Sequence, residues 1–247
     1  MKTYSIYGSG ETLVLLHGAL LSQAMWHPQI DDLSQKYRVI TTDLPAHGRE
    51  PDVAGKYTVE KLVENVIELL NTLNIEQTHL CGHSLGGMVA QKLVVTNPSR
   101  FQKLILVETA FGTKNTFWER IQTSFARPFL RITPQEMLVD LSVKKYGSNH
   151  LQVGEFVRQE MGRYDHQTSV RVMEAAFEFA GKEQLKKINL PTLVLVGADN
   201  RQTHAQGREM ANRIPQAKYC VIKDANHLLN MDNPVAFNRE VLSFLGE

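Results

Sequence analysis

Cys81-Gly82-His83-Ser84-Leu85-Gly86-Gly87 is the stretch on which the reading of this chain turns. It follows a short apolar run of strand character, residues 78–81. It leads into a helix-like run from about Leu85 to Thr96, which Asn97-Pro98 stops. A Gly82-x-Ser84-x-Gly86 pattern between a strand and a helix is the setting of a nucleophile elbow. The reason is steric. A serine on so sharp a turn holds a strained backbone, and its neighbours must lack bulk for strand and helix to approach. Gly82 and Gly86 meet that demand, while Gly87 and Ala90 keep the helix slim against a sheet. Ser84 then projects at the helix N-terminus, where free N–H groups and the helix dipole favour developing negative charge.

Outward from the elbow, strand-like and helix-like runs alternate. Residues 12–17 form a continuous β-type run ending in His17-Gly18, and residues 38–42 form another, ending at Asp43-Leu44-Pro45. Residues 104–107, 193–196 and 219–222 are the later strands, and the alternating residues 2–7 suit an antiparallel edge strand. Between residues 58 and 73, Val59, Leu62, Val63, Val66, Ile67, Leu70 and Leu73 fall on one helical face. Asn233-Pro234 reads as an N-cap with proline at the first helical position, opening a last helix through Leu245. The pattern predicts an α/β fold, a mostly parallel sheet with helices on both faces.

One long stretch breaks the alternation. Between Glu108 and Leu193 the periodicity is helical, with no convincing strand, and this third of the chain holds seven of the ten phenylalanines. These are Phe111, Phe117, Phe125, Phe129, Phe156, Phe177 and Phe179, joined by Trp118. Such rings are either the segment's own core or the underside of a helical cap that lines an apolar substrate pocket. The cap's Arg120, Arg127, Arg131, Arg158, Arg163 and Arg171 are candidates for a substrate carboxylate, although most such residues are solvated surface charges.

Composition narrows the partners. The 247 residues are 43% hydrophobic with a net charge of +1, and Lys and Arg are scattered. That excludes an electrostatic case for nucleic acid or an anionic membrane and leaves a small-molecule substrate as the expected partner. The motifs specify no oligomeric state. The first apolar run, residues 13–16, is too short for a signal peptide or membrane helix. With only Cys81 and Cys220, read as reduced core thiols, a cytoplasmic protein is expected.

The motifs together resemble the α/β-hydrolase superfamily over nearly the whole chain. They are His17-Gly18, Asp43-Leu44-Pro45-Ala46-His47-Gly48, the Gly82–Gly87 elbow and Ala225-Asn226-His227. The resemblance implies a cap inserted after the strand that follows the elbow helix. The core is then 1–110 with 189–247, and the cap is 111–188. It implies an oxyanion hole from the backbone N–H groups of Ala19 and Leu85, where losing one donor typically costs about 2.7–4 kcal/mol of barrier. His227 is similar in position to the family's catalytic histidine and keeps the order Ser…acid…His.

His17 and His47 match positions that serve loop structure, and His83 matches a variable elbow position. His27, His79, His150, His166 and His204 have no special spacing, so neither metal nor cofactor is expected. The acid departs from the family pattern, because Asn200 occupies its usual position. A neutral amide cannot compensate an imidazolium. Asp199, one residue earlier, and Glu108, at the end of the 104–107 strand, are the two candidates, and Glu108 is preferred.

The expected activity is hydrolysis of an ester, thioester or lactone of a small, partly apolar substrate through an acyl-enzyme. A carbon–carbon bond hydrolase or lyase on the same fold is one alternative. A catalytically slow ligand-binding or signalling protein on the hydrolase scaffold is the other, kept open by Asn200.

Overall fold

Strand positions in the sheet follow from how apolar each run is. A computed structural model describes residues 2–53 and 55–247; Met1 and Ala54, both inside the expected 1–110 core segment, lie outside the described residues. The strands are β1 (Tyr4–Tyr7), β2 (Glu11–Leu16), β3 (Tyr37–Thr42), β4 (Thr78–His83), β5 (Phe101–Val107), β6 (Thr192–Gly197) and β7 (Ala217–Ile222). They form one sheet in the order β1-β3-β2-β4-β5-β6-β7. Only β1 is antiparallel, paired with β3, and it is the edge strand expected from its alternation. Every residue of β4 and β6 is buried. Continuous apolar runs of this kind belong in the middle of a parallel sheet covered on both faces.

The core helices are α1 (His27–Leu33), α2 (Val59–Thr72), α3 (Leu85–Thr96), then α8 (Arg201–Arg213), α9 (Leu229–Asp232) and α10 (Pro234–Gly246). Thr58 caps α2 by accepting from the Lys61 N–H at 3.4 Å. Of the expected α2 face, Val59, Leu62, Val63, Val66 and Leu70 are buried, while Ile67 and Leu73 are half-buried at its margin. Leu69, which the face omitted, is buried as well. Asn233 caps α10 by accepting from the Ala236 N–H at 3.2 Å, with Pro234 opening the helix.

Between β5 and β6 lie α4 (Phe117–Ile132), α5 (Gln135–Tyr146), α6 (Leu151–Met161) and α7 (His166–Glu178). The entrance and exit of this inserted segment meet at a Gly112–Ala180 bridge, with the Gly181 N–H donating to Phe111 O at 2.7 Å. Its aromatic residues meet the two expected roles only in part. Phe111 and Phe179 are buried, and Phe156 and Phe177 are half-buried. Phe117, Trp118 and Phe125 are 71%, 71% and 73% exposed. The reason is helical geometry. Trp118, Phe125 and Ile132 fall on one side of α4, which faces outward, whereas its buried residues, Thr123 and Leu130, lie on the far side.

A second correction concerns the thiols. Both are free, but Cys220 is only half-buried, because β7 is the other edge of the sheet; Cys81, in central β4, is a core residue. Among the described residues no helix is long and apolar enough to cross a membrane.

Candidate active site

Ser84 sits between β4 and α3 with φ 51° and ψ −113°, a backbone that L-residues rarely hold. The glycines around it are required by contact. A Cβ on Gly82 would lie 2.4 Å from Gly86 O, and one on Gly86 would lie 2.5 Å from His17 O. The strained turn is held by the Ser84 N–H donating to Val107 O at 2.9 Å and by the Thr109 hydroxyl donating to Ser84 O at 2.7 Å.

The loops after β2 and β3 are tied to each other by two buried histidines. His17 Nδ1 donates to Gly18 O at 2.8 Å and its Nε2 accepts from the Leu44 N–H at 2.8 Å. His47 Nδ1 donates to Pro45 O at 2.8 Å and its Nε2 accepts from the Leu20 N–H at 2.9 Å. An Nε2 that accepts an N–H must be unprotonated, so both rings are neutral. Burial accordingly draws His17 down to about 4 and His47 to about 3. The brace holds the segment containing Ala19, which lines the same cavity as Ser84 and Leu85.

His227 stands in the loop between β7 and α9. Its Nδ1 lies 3.2 Å from Glu108 Oε2. Glu108 is buried, and its φ of 45° turns the side chain off the end of β5 into hydrogen bonds with the neighbouring strand end. The Gly197 N–H donates to Oε1 at 2.5 Å and Asn200 Nδ2 donates to Oε2 at 2.6 Å. Asn200, in the acid's usual place, thus donates to the carboxylate that meets the imidazole. Asp199 points elsewhere: it is exposed and accepts from Asn149 Nδ2 at 2.7 Å.

Three further residues hold His227, and no motif marked them for that role. His83 Nε2 donates to the His227 carbonyl at 2.8 Å, and burial pushes the His83 imidazole well below its ordinary value. Asn226 Oδ1 accepts from the His227 N–H at 2.8 Å, while its Nδ2 donates to Lys145 O at 2.9 Å. Tyr146 stacks on the His227 ring, with centroids 4.8 Å apart and planes 26° from parallel. Burial raises the Tyr146 hydroxyl to about 12, so it stays neutral. The only sequence signals for these residues were adjacency of Asn226 to His227 and of His83 to Ser84; Tyr146 had none.

Ser84 and His227 line a cavity of about 260 Å³ whose walls are largely aliphatic, among them Leu21, Leu130, Leu138, Val157 and Met161. Of the cap aromatics only Phe129 and Tyr146 reach it. Among the described residues no cluster of three or more His, Cys, Asp or Glu side chains could hold a metal ion.

A family model described as the alpha/beta hydrolase fold matches residues 11–234. The chain belongs to the α/β-hydrolase fold family. It is similar to 3-oxoadipate enol-lactonase 2 of Acinetobacter baylyi, at 28% identity over 96% of this chain and 90% of that one. It is also similar to the pimeloyl-[acyl-carrier protein] methyl ester esterase of Aeromonas hydrophila, at 29% identity over 97% of each chain. Among solved structures, the enol-lactonase from Burkholderia xenovorans LB400 superposes with a TM-score of 0.88 at 27% identity, covering 100% of this chain and 96% of that one. These relatives are hydrolases, and the present chain is an α/β-fold hydrolase.

The cap arginines of this hydrolase do not line the cavity. Arg127 meets Glu178 at 3.2 Å, Arg158 meets Asp140 at 2.7 Å, Arg163 meets Glu160 at 2.8 Å and Arg171 meets Asp52 at 2.6 Å. Arg131 pairs with Glu174, and Arg120 donates to Lys114 O.

Proposed function

We propose that this hydrolase cleaves an ester, thioester or lactone of a small, partly apolar substrate through an acyl-enzyme on Ser84. The observation that carries the reading is a carboxylate, Glu108, 3.2 Å from the Nδ1 of a histidine that shares an apolar cavity with the elbow serine. Glu108 is the triad acid in this reading and Asp199 is not. With Nδ1–H donating to Glu108, the His227 Nε2 lone pair is free to take a proton.

Ser84 Oγ attacks the substrate carbonyl as His227 Nε2 takes its proton, and the Glu108 carboxylate offsets the imidazolium. The Ala19 and Leu85 N–H groups receive the oxyanion. Collapse breaks the bond to the leaving oxygen or sulfur, which takes the proton from His227. A water, deprotonated by His227, then cleaves the acyl-enzyme and restores Ser84. No step calls for a cofactor. A cytoplasmic location belongs to the same reading, supported by two unpaired thiols.

The relatives' names, an enol-lactonase and a methyl ester esterase, support lactone and ester as the bond types. The alternative of a protein without chemistry rested on Asn200, and a carboxylate at His227 removes that motive. The test is intact mass after fluorophosphonate treatment, with turnover of short-chain aryl esters, on wild type and Ser84→Ala. A single adduct on wild type alone, and a loss of turnover of at least about a thousandfold in the variant, are expected. Equal rates in both would overturn the reading.

A further inference from the structure

The cavity walls are apolar, and among their residues Lys145 is the sole lysine or arginine. It lies in the last turn of α5, beside the Tyr146 that stacks on His227. Its backbone is anchored, since Asn226 Nδ2 donates to its carbonyl. Its ammonium lies 5.3 Å over the Tyr146 ring and donates to the neutral Gln202 Oε1 at 3.2 Å. The contrast with the cap arginines is plain: five of the six carry a carboxylate partner, whereas among the described residues Lys145 pairs with none.

We propose that Lys145 is a specificity residue that receives a carboxylate on the substrate, so that the preferred substrates are esters or lactones with an apolar body and one acidic end. The proposal rests on the ester and lactone reading above and adds the charge of the substrate to it. An ammonium held over an aromatic face at the rim of an apolar cavity gains more from an arriving anion than one fully in water, because the local dielectric is lower. Gln202, an uncharged acceptor, is a partner that a carboxylate displaces readily. Lys145 is exposed at the cavity rim, where partial desolvation draws its ammonium below the ordinary value and the Glu108 carboxylate opposes that. The apolar walls then take the rest of the acyl chain, and a neutral ester of the same length leaves the ammonium without a new partner.

The test compares 4-nitrophenyl monoesters of glutaric and adipic acid with the neutral pentanoate and hexanoate esters, on wild type, Lys145→Met and Lys145→Arg. Wild type is expected to favour the acidic esters by about tenfold in kcat/KM, the scale of a hydrogen bond to a charged group, with the difference in KM. Lys145→Met abolishes that preference and Lys145→Arg keeps most of it. A preference that survives Lys145→Met, or a wild type that favours the neutral esters, overturns the proposal. Equilibrium binding of monomethyl adipate to Ser84→Ala and to Ser84→Ala/Lys145→Met gives a readout free of the chemistry. Weaker binding by about tenfold in the double variant supports the anion site even if no ester is turned over, which would count against the hydrolase reading alone. Equal binding overturns the anion site and leaves that reading standing.

Discussion

The sheet core and the inserted helical segment bury their residues by different rules. In the core, whole strands such as β4 and β6 are inaccessible, and α2 presents six buried apolar side chains along one face. In the cap, α4 buries Thr123 and Leu130 and exposes Trp118, Phe125 and Ile132. The proposed chemistry follows the same division. Ser84, Glu108 and His227 all leave strand ends of the core, braced by hydrogen bonds from neighbouring strand ends and loops. The cap adds Lys145, Tyr146 and the aliphatic cavity wall. A densely braced core suits geometry that must be kept to fractions of an ångström, and a thinner layer suits recognition that varies.

The sharpest way to break this division is to remove the core's charge. Glu108→Gln leaves an amide opposite His227 Nδ1 and is expected to lower kcat by about ten-thousandfold, as loss of the orienting carboxylate does in other triads. Asp199→Asn, which touches only the exposed Asn149 contact, is expected to leave kcat within about twofold, given how little exposed polar contacts contribute. A larger loss from the Asp199 change, read by steady-state kinetics, would move the acid away from Glu108.

Truncation compares the two layers in stability. Leu62→Ala in α2 opens a cavity in the core and is expected to cost about 2–5 kcal/mol in urea unfolding. Phe125→Ala, despite the larger side chain, removes a ring already 73% exposed and is expected to change stability by no more than about 0.5 kcal/mol. Equal costs would mean that α4 is packed as tightly as α2.

The last comparison concerns the histidine brace. His17 and His47 have folded-state values of about 4 and about 3, below the ordinary 6.5, so between these pH values the unfolded chain binds more protons than the folded one. Their contribution is full above about pH 6.5 and declines as pH falls toward 4 and then 3. Urea midpoints should fall across that window, and His47→Gln should flatten the slope. An unchanged slope would place the acid sensitivity elsewhere.

Much of the core was legible because its signals are local. Gly82 and Gly86 were readable since a Cβ there collides with backbone, and the β1 edge was readable from its alternation. The role of α4 was not legible. Its apolar spacing identifies a helix with one greasy side but carries no information on whether that side meets the sheet or solvent. Cys220 was misplaced for a similar reason, since an apolar run does not reveal that β7 is an edge. His83 and Tyr146 could not be assigned to His227, because their roles depend on a ring that is remote in sequence.

By itself, then, the sequence determined the alternating α/β architecture, the elbow at Ser84 and the position of His227, all set by periodicity and by steric demands within a few residues. Tertiary structure decided which carboxylate meets that histidine. Glu108 and His227 are 119 residues apart, and they meet because β5 and β6 end side by side and the left-handed backbone at Glu108 turns its side chain across to the strand end that carries Gly197 and Asn200.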